Sequence, residues 1–224
     1  MNKLHVDSIR KFYNNRLILS DIFLSCNQGK TIGLIGRNGS GKSTLLKIIF
    51  GVENAENKYV RIGEKILKNV GDSRNLINYL PQENFLPGEI KVKNLIGLFL
   101  PKERRVQLIN NKFINPLLQK KFQVLSGGEK RILEILLLLY SKAEFILLDE
   151  PFEGVSPIVR DFILESINKE KNRKGFIITD HDYENVIKVA DKILFLENGC
   201  LKEIKDKKDL FERGYLPNTP YHTG

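Results

Sequence analysis

The sequence predicts an α/β fold with a mostly parallel sheet, and three observations predict it. A glycine-rich loop, Gly36 to Ser43, joins an apolar strand to a helix. A continuous apolar run, Phe145 to Leu148, has the character of a strand buried on both faces of a parallel sheet, and it ends in two acids, Asp149 and Glu150. From there to Leu196, strand and helix patterns alternate, as parallel sheets require.

The elements follow in chain order. Residues 3 to 35 read as short strands: Leu17 to Leu19 leads into Ile22 to Leu24, a turn forms at Asn27-Gln28-Gly29, and Thr31 to Ile35 runs into glycines. Lys42 opens a helix that Gly51 stops. Tyr59 to Ile62 and Leu76 to Leu80 read as further strands. From residue 83 to about 139 the character changes, because Pro87, Pro101 and Pro116 punctuate helical patterns such as Val92 to Leu100 and Glu103 to Phe113. This predicts a helical lobe inserted into an α/β core. After the acids come a helix (Ile158 to Asn168), a strand (Phe176 to Thr179), a helix (Tyr183 to Ala190) and a strand (Lys192 to Leu196). The stretch from Asp206 is polar and reads as a loose tail.

Bulk composition bounds the function. The chain has 224 residues, enough to bury a real core, and 42% hydrophobic with 28% charged residues excludes disorder. The net charge of +9 is scattered. Its densest clusters, Lys102 to Arg105, Lys169 to Lys174 and Lys202 to Lys208, are interrupted by acids and read as solvated surface, with a basic face near anionic lipid as the second reading. Cys26 and Cys200 are far apart and outside any ligand spacing, which points to free thiols in a reduced, cytosolic compartment. The N-terminus has no apolar core of a signal peptide. The longest apolar stretch, Ile135 to Tyr140, falls short of the ~20 residues a membrane span needs. Any span is therefore expected from another chain.

Gly36-Arg37-Asn38-Gly39-Ser40-Gly41-Lys42-Ser43 fits GxxxxGK[ST], in the strand-to-helix context that gives the pattern its meaning. Glycines let main-chain N–H groups close around phosphate oxygens, and the helix N-terminus adds partial positive charge. Lys42 reaches the β- and γ-phosphates, and Ser43 offers a hydroxyl to Mg²⁺. Asp149, at a strand end, suits the same Mg²⁺ through water. Glu150 is placed to polarise an attacking water.

Leu125-Ser126-Gly127-Gly128-Glu129 matches the signature motif of ABC-type ATPases. With it, residues from about 4 to 205 resemble that family. The resemblance implies the ABC ATPase fold: a P-loop NTPase core (1–82 and 140–224), an N-terminal antiparallel β subdomain within it, and an inserted α-helical subdomain (83–139). It implies that residues 36 to 44, including Gly36, Asn38, Gly39, Ser40, Gly41, Lys42, Ser43 and Thr44, bind ATP. Glu150 is then the catalytic glutamate, and Asp149 and Ser43 serve Mg²⁺. Gln82 resembles the Q-loop glutamine that contacts Mg²⁺ or the attacking water. His181 resembles the switch histidine. Tyr13 sits where the family stacks an aromatic ring on adenine, with Phe12 as the alternative. Two cassettes pair head to tail in this family, so Ser126, Gly127 and Gly128 would meet the γ-phosphate held by a second copy.

The resemblance implies an ATPase powering a separate transmembrane permease, paired with a second cassette at the cytoplasmic face of the membrane. Within the family, the segments 149–157 and 178–181 look most like lipopolysaccharide-export and branched-chain amino-acid import cassettes. There are departures. Ser156 stands where the D-loop usually has aspartate, the helix after the signature is apolar nearly all round and predicts tight packing without special chemistry, and the helical lobe is short, which narrows the groove for a permease. The net charge motivates a second function, a soluble ABC-type ATPase acting on ribosome or nucleic acid. Against it, such relatives usually carry two cassettes, coiled coils or extra domains, and no nucleic acid is expected as a partner. Ser156 motivates a third, a nucleotide-binding regulator with little turnover.

Overall fold

The computed structural model describes residues 2–181, 183–206, 209–210 and 215. Asp182 and most of the polar C-terminal stretch lie outside the described residues. The elements run β1 (Lys3–Tyr13), β2 (Arg16–Asn27), β3 (Thr31–Ile35), α1 (Lys42–Phe50), β4 (Asn57–Ile62), β5 (Lys65–Ile66) and β6 (Ile77–Leu80). Then come α2 (Val92–Phe99), α3 (Lys102–Ile109), two short 3₁₀ turns, α4 (Gly127–Leu139), β7 (Phe145–Asp149), α5 (Pro157–Glu170), β8 (Gly175–Thr179), α6 (Tyr183–Ile187), β9 (Lys192–Glu197) and β10 (Cys200–Ile204).

Two sheets form. A four-stranded antiparallel sheet has the order β2-β1-β4-β5. Asn14 and Asn15 turn its first hairpin with φ 46° and 64°, values that asparagine tolerates and that match the strand twist. The two short strands expected at 17–19 and 22–24 are one strand, β2, carried through a register shift where Asp21 adopts φ 51°. The second sheet has the order β10-β9-β3-β8-β7-β6, and all its pairings are parallel except β9–β10.

Strand alternation divides the core. Phe145, Leu147 and Ile177 face the antiparallel sheet and α1, in a cluster with Leu4, Leu24, Leu46 and Ile49. Ile146, Leu148, Phe176 and Ile178 face the other way, in a cluster with α2, α4 and α5 residues such as Leu95, Leu133 and Ile163. A smaller cluster joins Ile35, Val186, Phe195 and Leu210, with Tyr215 packed against it. Helix starts follow capping chemistry. Ser126 and Glu129 form a reciprocal capping box on α4, and Ser156 caps α5 with Pro157 at its first position.

The structure corrects several expectations. The helix expected over Glu103 to Phe113 ends at Ile109, because Asn111 Oδ1 accepts from Phe113 N and turns the chain. The helix expected from Tyr183 to Ala190 ends at Ile187. Two of the three charged clusters are not simply solvated. Lys174 and Glu170 are 4% and 5% exposed. Lys174 Nζ donates to the carbonyls of Ser141 (2.8 Å) and Ala143, and Arg104 grips Glu170 through two 3.0 Å hydrogen bonds. Both cysteines are free, Cys26 buried and Cys200 exposed. Among the described residues no helix is long and apolar enough to cross a membrane.

Candidate functional site

The loop after β3 is shaped by what glycine lacks. A Cβ at Gly36 would stand 2.6 Å from Leu196 O and 2.9 Å from Ser40 Oγ, and Gly41 holds φ 104° against Ile18 and Leu19. Neither position admits a larger side chain without displacing its neighbours. Lys42, at the start of α1, is buried, and its Nζ donates back to Gly36 O (2.8 Å) and Arg37 O (3.3 Å). Burial pulls its pKa below the usual lysine value, against the pull of Glu150 and Asp149. Ser40 Oγ is buried without a hydrogen-bond partner among the described residues.

A cleft of about 470 Å³ opens over this loop. Asn38 to Thr44 line one side, Tyr13 and Ile18 another, and Gln82, Glu150 and His181 the far wall. Residues from five separate parts of the chain thus converge. Phe12 does not line the cleft, and Arg10 lies over its ring, 5.2 Å from the centroid. Tyr13 has the Lys11 ammonium 4.8 Å from its own centroid.

Asp149 sits beneath the cleft, 1% exposed. Its Oδ1 accepts from Ser43 Oγ at 3.1 Å and Thr179 Oγ1 at 2.8 Å, and its Oδ2 accepts from Tyr79 OH at 3.0 Å. Tyr79 is forced to stay protonated by burial and by that carboxylate. Glu150 turns away from Asp149 because its backbone is left-handed, φ 51°. Its N–H donates to Thr179 O at 3.0 Å, and its carboxylate lies 2.8 Å from His181 Nε2. Burial raises the Glu150 pKa, opposed by His181 and by a hydrogen bond from the Gln82 side chain. A buried carboxyl with a raised pKa beside an imidazole is suited to taking a proton.

Ser126, Gly127 and Gly128 do not line this cleft. Ser126 and Gly127 are exposed at the N-terminus of α4, where Ser126 Oγ accepts from Glu129 N at 3.2 Å. Ser156 likewise has a local task, its Oγ accepting from Val159 N. An aspartate would cap that helix equally well.

Four side chains near the site escape sequence reasoning: Tyr79, Thr179, Arg131 and Glu134. Tyr79 and Thr179 follow the same signal as Asp149, polar residues at the end of an apolar strand. Arg131 and Glu134 lie in the helix expected to have no special chemistry, yet both are buried and hydrogen-bonded to main chain. Their signal is charge at positions that an apolar helix would otherwise bury.

Known proteins match this architecture. The family model for ABC transporters matches residues 19–153. The lipopolysaccharide export system ATP-binding protein of Haemophilus influenzae is 34% identical over 213 residues, 89% of this chain and 88% of the relative. The linearmycin resistance ATP-binding protein of Bacillus subtilis is 31% identical over 222 residues, 94% of this chain and 71% of the relative. Among solved structures, an ATP-binding subunit of an ABC transporter superposes with a TM-score of 0.82 at 23% identity, covering 95% of this chain and 93% of its own. A nucleotide-free ATP-binding cassette of an ABC transporter gives 0.78 at 24% identity, covering 97% and 96%. At those identities the superpositions show a shared fold.

Proposed function

The chain belongs to the ABC transporter family as an ATP-binding, ATP-hydrolysing subunit, and from that premise we propose how its residues divide the work. The single observation that carries the proposal is the convergence of Lys42, Gln82 and the Glu150–His181 pair on one cleft.

The cradle fits a triphosphate. Collisions exclude side chains at Gly36 and Gly41, and among the described residues Ser40 Oγ is unpartnered and Lys42 Nζ hydrogen-bonds only to main-chain carbonyls. Main-chain N–H groups of residues 38 to 44 and the Lys42 ammonium would hold the phosphates. Tyr13 would stack on the adenine. Ser43 and Asp149 suit Mg²⁺, which binds few protein ligands and keeps its waters. When bound, the ion would neutralise charge developing on the phosphate oxygens. Glu150 takes the proton of the attacking water, His181 orients that carboxylate, and the Gln82 side chain hydrogen-bonds it.

Ser126 and Gly127 are exposed and, with Gly128, lie outside the lining of this cleft, which supports pairing with a second copy head to tail, each copy completing the other's site. Residues 1–82 and 140–224 act as the ATPase core, and 83–139 as the helical part that passes nucleotide state to a permease. That permease is a separate transmembrane chain, and this subunit works at the cytoplasmic face of the membrane. The relatives named above belong to transport and resistance systems, and the basic residues of Arg104 and Lys174 are spent on internal contacts, so nucleic acid is not the partner favoured.

The test is nucleotide binding and ATP hydrolysis by wild type, Lys42→Ala and Glu150→Gln, with oligomeric state read by light scattering. Lys42→Ala should weaken ATP binding. Glu150→Gln should keep ATP, lose turnover and accumulate as a dimer. Wild-type nucleotide affinity in Lys42→Ala, or a monomer in Glu150→Gln with saturating ATP, would refute the proposal.

A further inference from the structure

Arg131 and Glu134 lie one turn apart on α4, the helix that begins at the Ser126-Gly127-Gly128 turn, and they are 6% and 0% exposed. Neither lines the cleft. Their side chains reach main chain instead. The Arg131 guanidinium donates to Pro81 O at 2.6 Å, Asp149 O at 2.6 Å and Glu150 O at 2.8 Å. Glu134 Oε1 accepts from Phe85 N at 2.8 Å. The two side chains therefore hold both ends of the segment Pro81 to Phe85, which carries Gln82. Arg131 also holds both carbonyls of the Asp149–Glu150 junction.

Two features set these bonds apart from incidental packing. A buried guanidinium and a buried carboxylate in an otherwise apolar helix face carry a desolvation cost that only fixed partners offset. And the Glu150 peptide needs support, because a left-handed glutamate is strained and persists only where its surroundings determine it. Thr179 accepts from the Glu150 N–H, and Arg131 donates to the Glu150 carbonyl. The residue is pinned on both sides of its Cα.

From this we infer that Arg131 and Glu134 are positioning residues for ATP hydrolysis, fixing the spacing between Gln82 and the Glu150 carboxylate from below. The same helix that presents Ser126 to a neighbour thus sets the geometry of the base in its own subunit. The inference rests on the proposed roles of Gln82 and Glu150. Nucleotide is held by other elements, residues 38 to 44 and Tyr13, so losing the clip should slow chemistry without weakening binding.

The experiment measures steady-state ATP hydrolysis and equilibrium binding of a fluorescent ATP analogue. It compares wild type with Arg131→Met, Arg131→Lys, Glu134→Leu and Glu134→Gln. Arg131→Met should lower kcat by about 30-fold or more while KM and analogue affinity stay within about threefold, the pattern of an interaction realised only in the transition state. Arg131→Lys should recover part of the loss. Glu134→Gln, which keeps the acceptor, should recover most of what Glu134→Leu loses. In a Gln82→Ala background Arg131→Met should cost far less, because both act on one spacing. Unchanged kcat, a joint collapse of kcat and affinity, or full additivity with Gln82→Ala would each overturn the inference. If Arg131→Met does not fold, the two Glu134 variants and Arg131→Lys decide by the same split. A wild-type chain that neither binds nor hydrolyses ATP would instead remove the ATPase proposal beneath it.

Discussion

Lys174 ties the stability of this fold to pH. It is 4% exposed, with its ammonium held by the carbonyls of Ser141 and Ala143. Burial pulls its pKa from 10.5 down to about 8. In the unfolded chain the ordinary value returns. Between about pH 8 and 10.5 the unfolded state therefore holds a proton that the folded state has released, and stability rises with pH through that window. The slope is at most about 1.4 kcal/mol per pH unit, and the gain from pH 7.5 to 9.5 is about 2 kcal/mol. Cys26, pushed up to about 12, works in the opposite direction, since its thiol ionises earlier in the unfolded chain. A difference between proteins cancels that effect. Urea unfolding of wild type and Lys174→Met at the two pH values should show the stability gap moving by about 2 kcal/mol in favour of wild type at pH 9.5. A gap that stays constant within about 0.5 kcal/mol, or moves the other way, refutes the buried-ammonium account.

His181 opposes the burial that raises the Glu150 pKa, so His181→Ala should move the acid limb of the kcat–pH profile of residual ATP hydrolysis to higher pH; a limb that stays or drops contradicts the pairing. Tyr13→Ala should weaken nucleotide binding by roughly 5- to 10-fold, the low end of base stacking for a half-exposed ring, and Phe12→Ala should leave it unchanged in the same titration. Arg104→Ala strands the buried Glu170 carboxylate and should cost about 3 kcal/mol by urea unfolding, whereas Arg104→Met with Glu170→Met should recover most of it.

What was legible in the sequence is what local spacing encodes. The loop from Gly36 to Ser43, the run into Asp149 and Glu150, and Gly51 closing α1 each depend on neighbours within one turn or strand. The illegible contacts join distant positions. Arg131 meets a carbonyl 50 residues away and Tyr79 a carboxylate 70 residues away, and the local pattern marks each as polar without naming its partner. Lys174 reads as surface because its neighbours are charged, yet the β7–β8 register brings Gly175 beside Phe145 and carries Lys174 inward. Two other features do carry a local signal. Asn198-Gly199 between two apolar runs is a hairpin signal, and it joins β9 to the unread β10. Asn111 marks the early end of α3 in the same way.

The order of strands in the sheet, rather than in the chain, is what makes a site from these motifs. Along the parallel part the order is β9-β3-β8-β7-β6, so the four segments leaving β3, β8, β7 and β6 emerge side by side at one edge. Register sets their heights. Leu34 pairs with Thr179, Thr179 with Asp149, and Leu148 with Leu80, so the loop at Gly36, the segment at His181, the Asp149–Glu150 pair and Gln82 all start within about one residue of a common level. A ligand bound at the carboxyl ends of parallel strands meets every one of them. A one-residue slip of β7 against β8 would turn each acid to the opposite face, moving Glu150 into the place of Asp149 and Asp149 into the apolar place of Leu148. Thr179 guards against that slip, because its hydroxyl accepts from the Glu150 N–H and donates to the Asp149 carboxylate at the same time. Thr179→Val keeps the strand propensity and removes only that clamp, so it separates register from packing. It should reduce turnover while leaving the β7–β8 amides protected from hydrogen exchange, and loss of that protection would mean that the threonine supports the sheet itself.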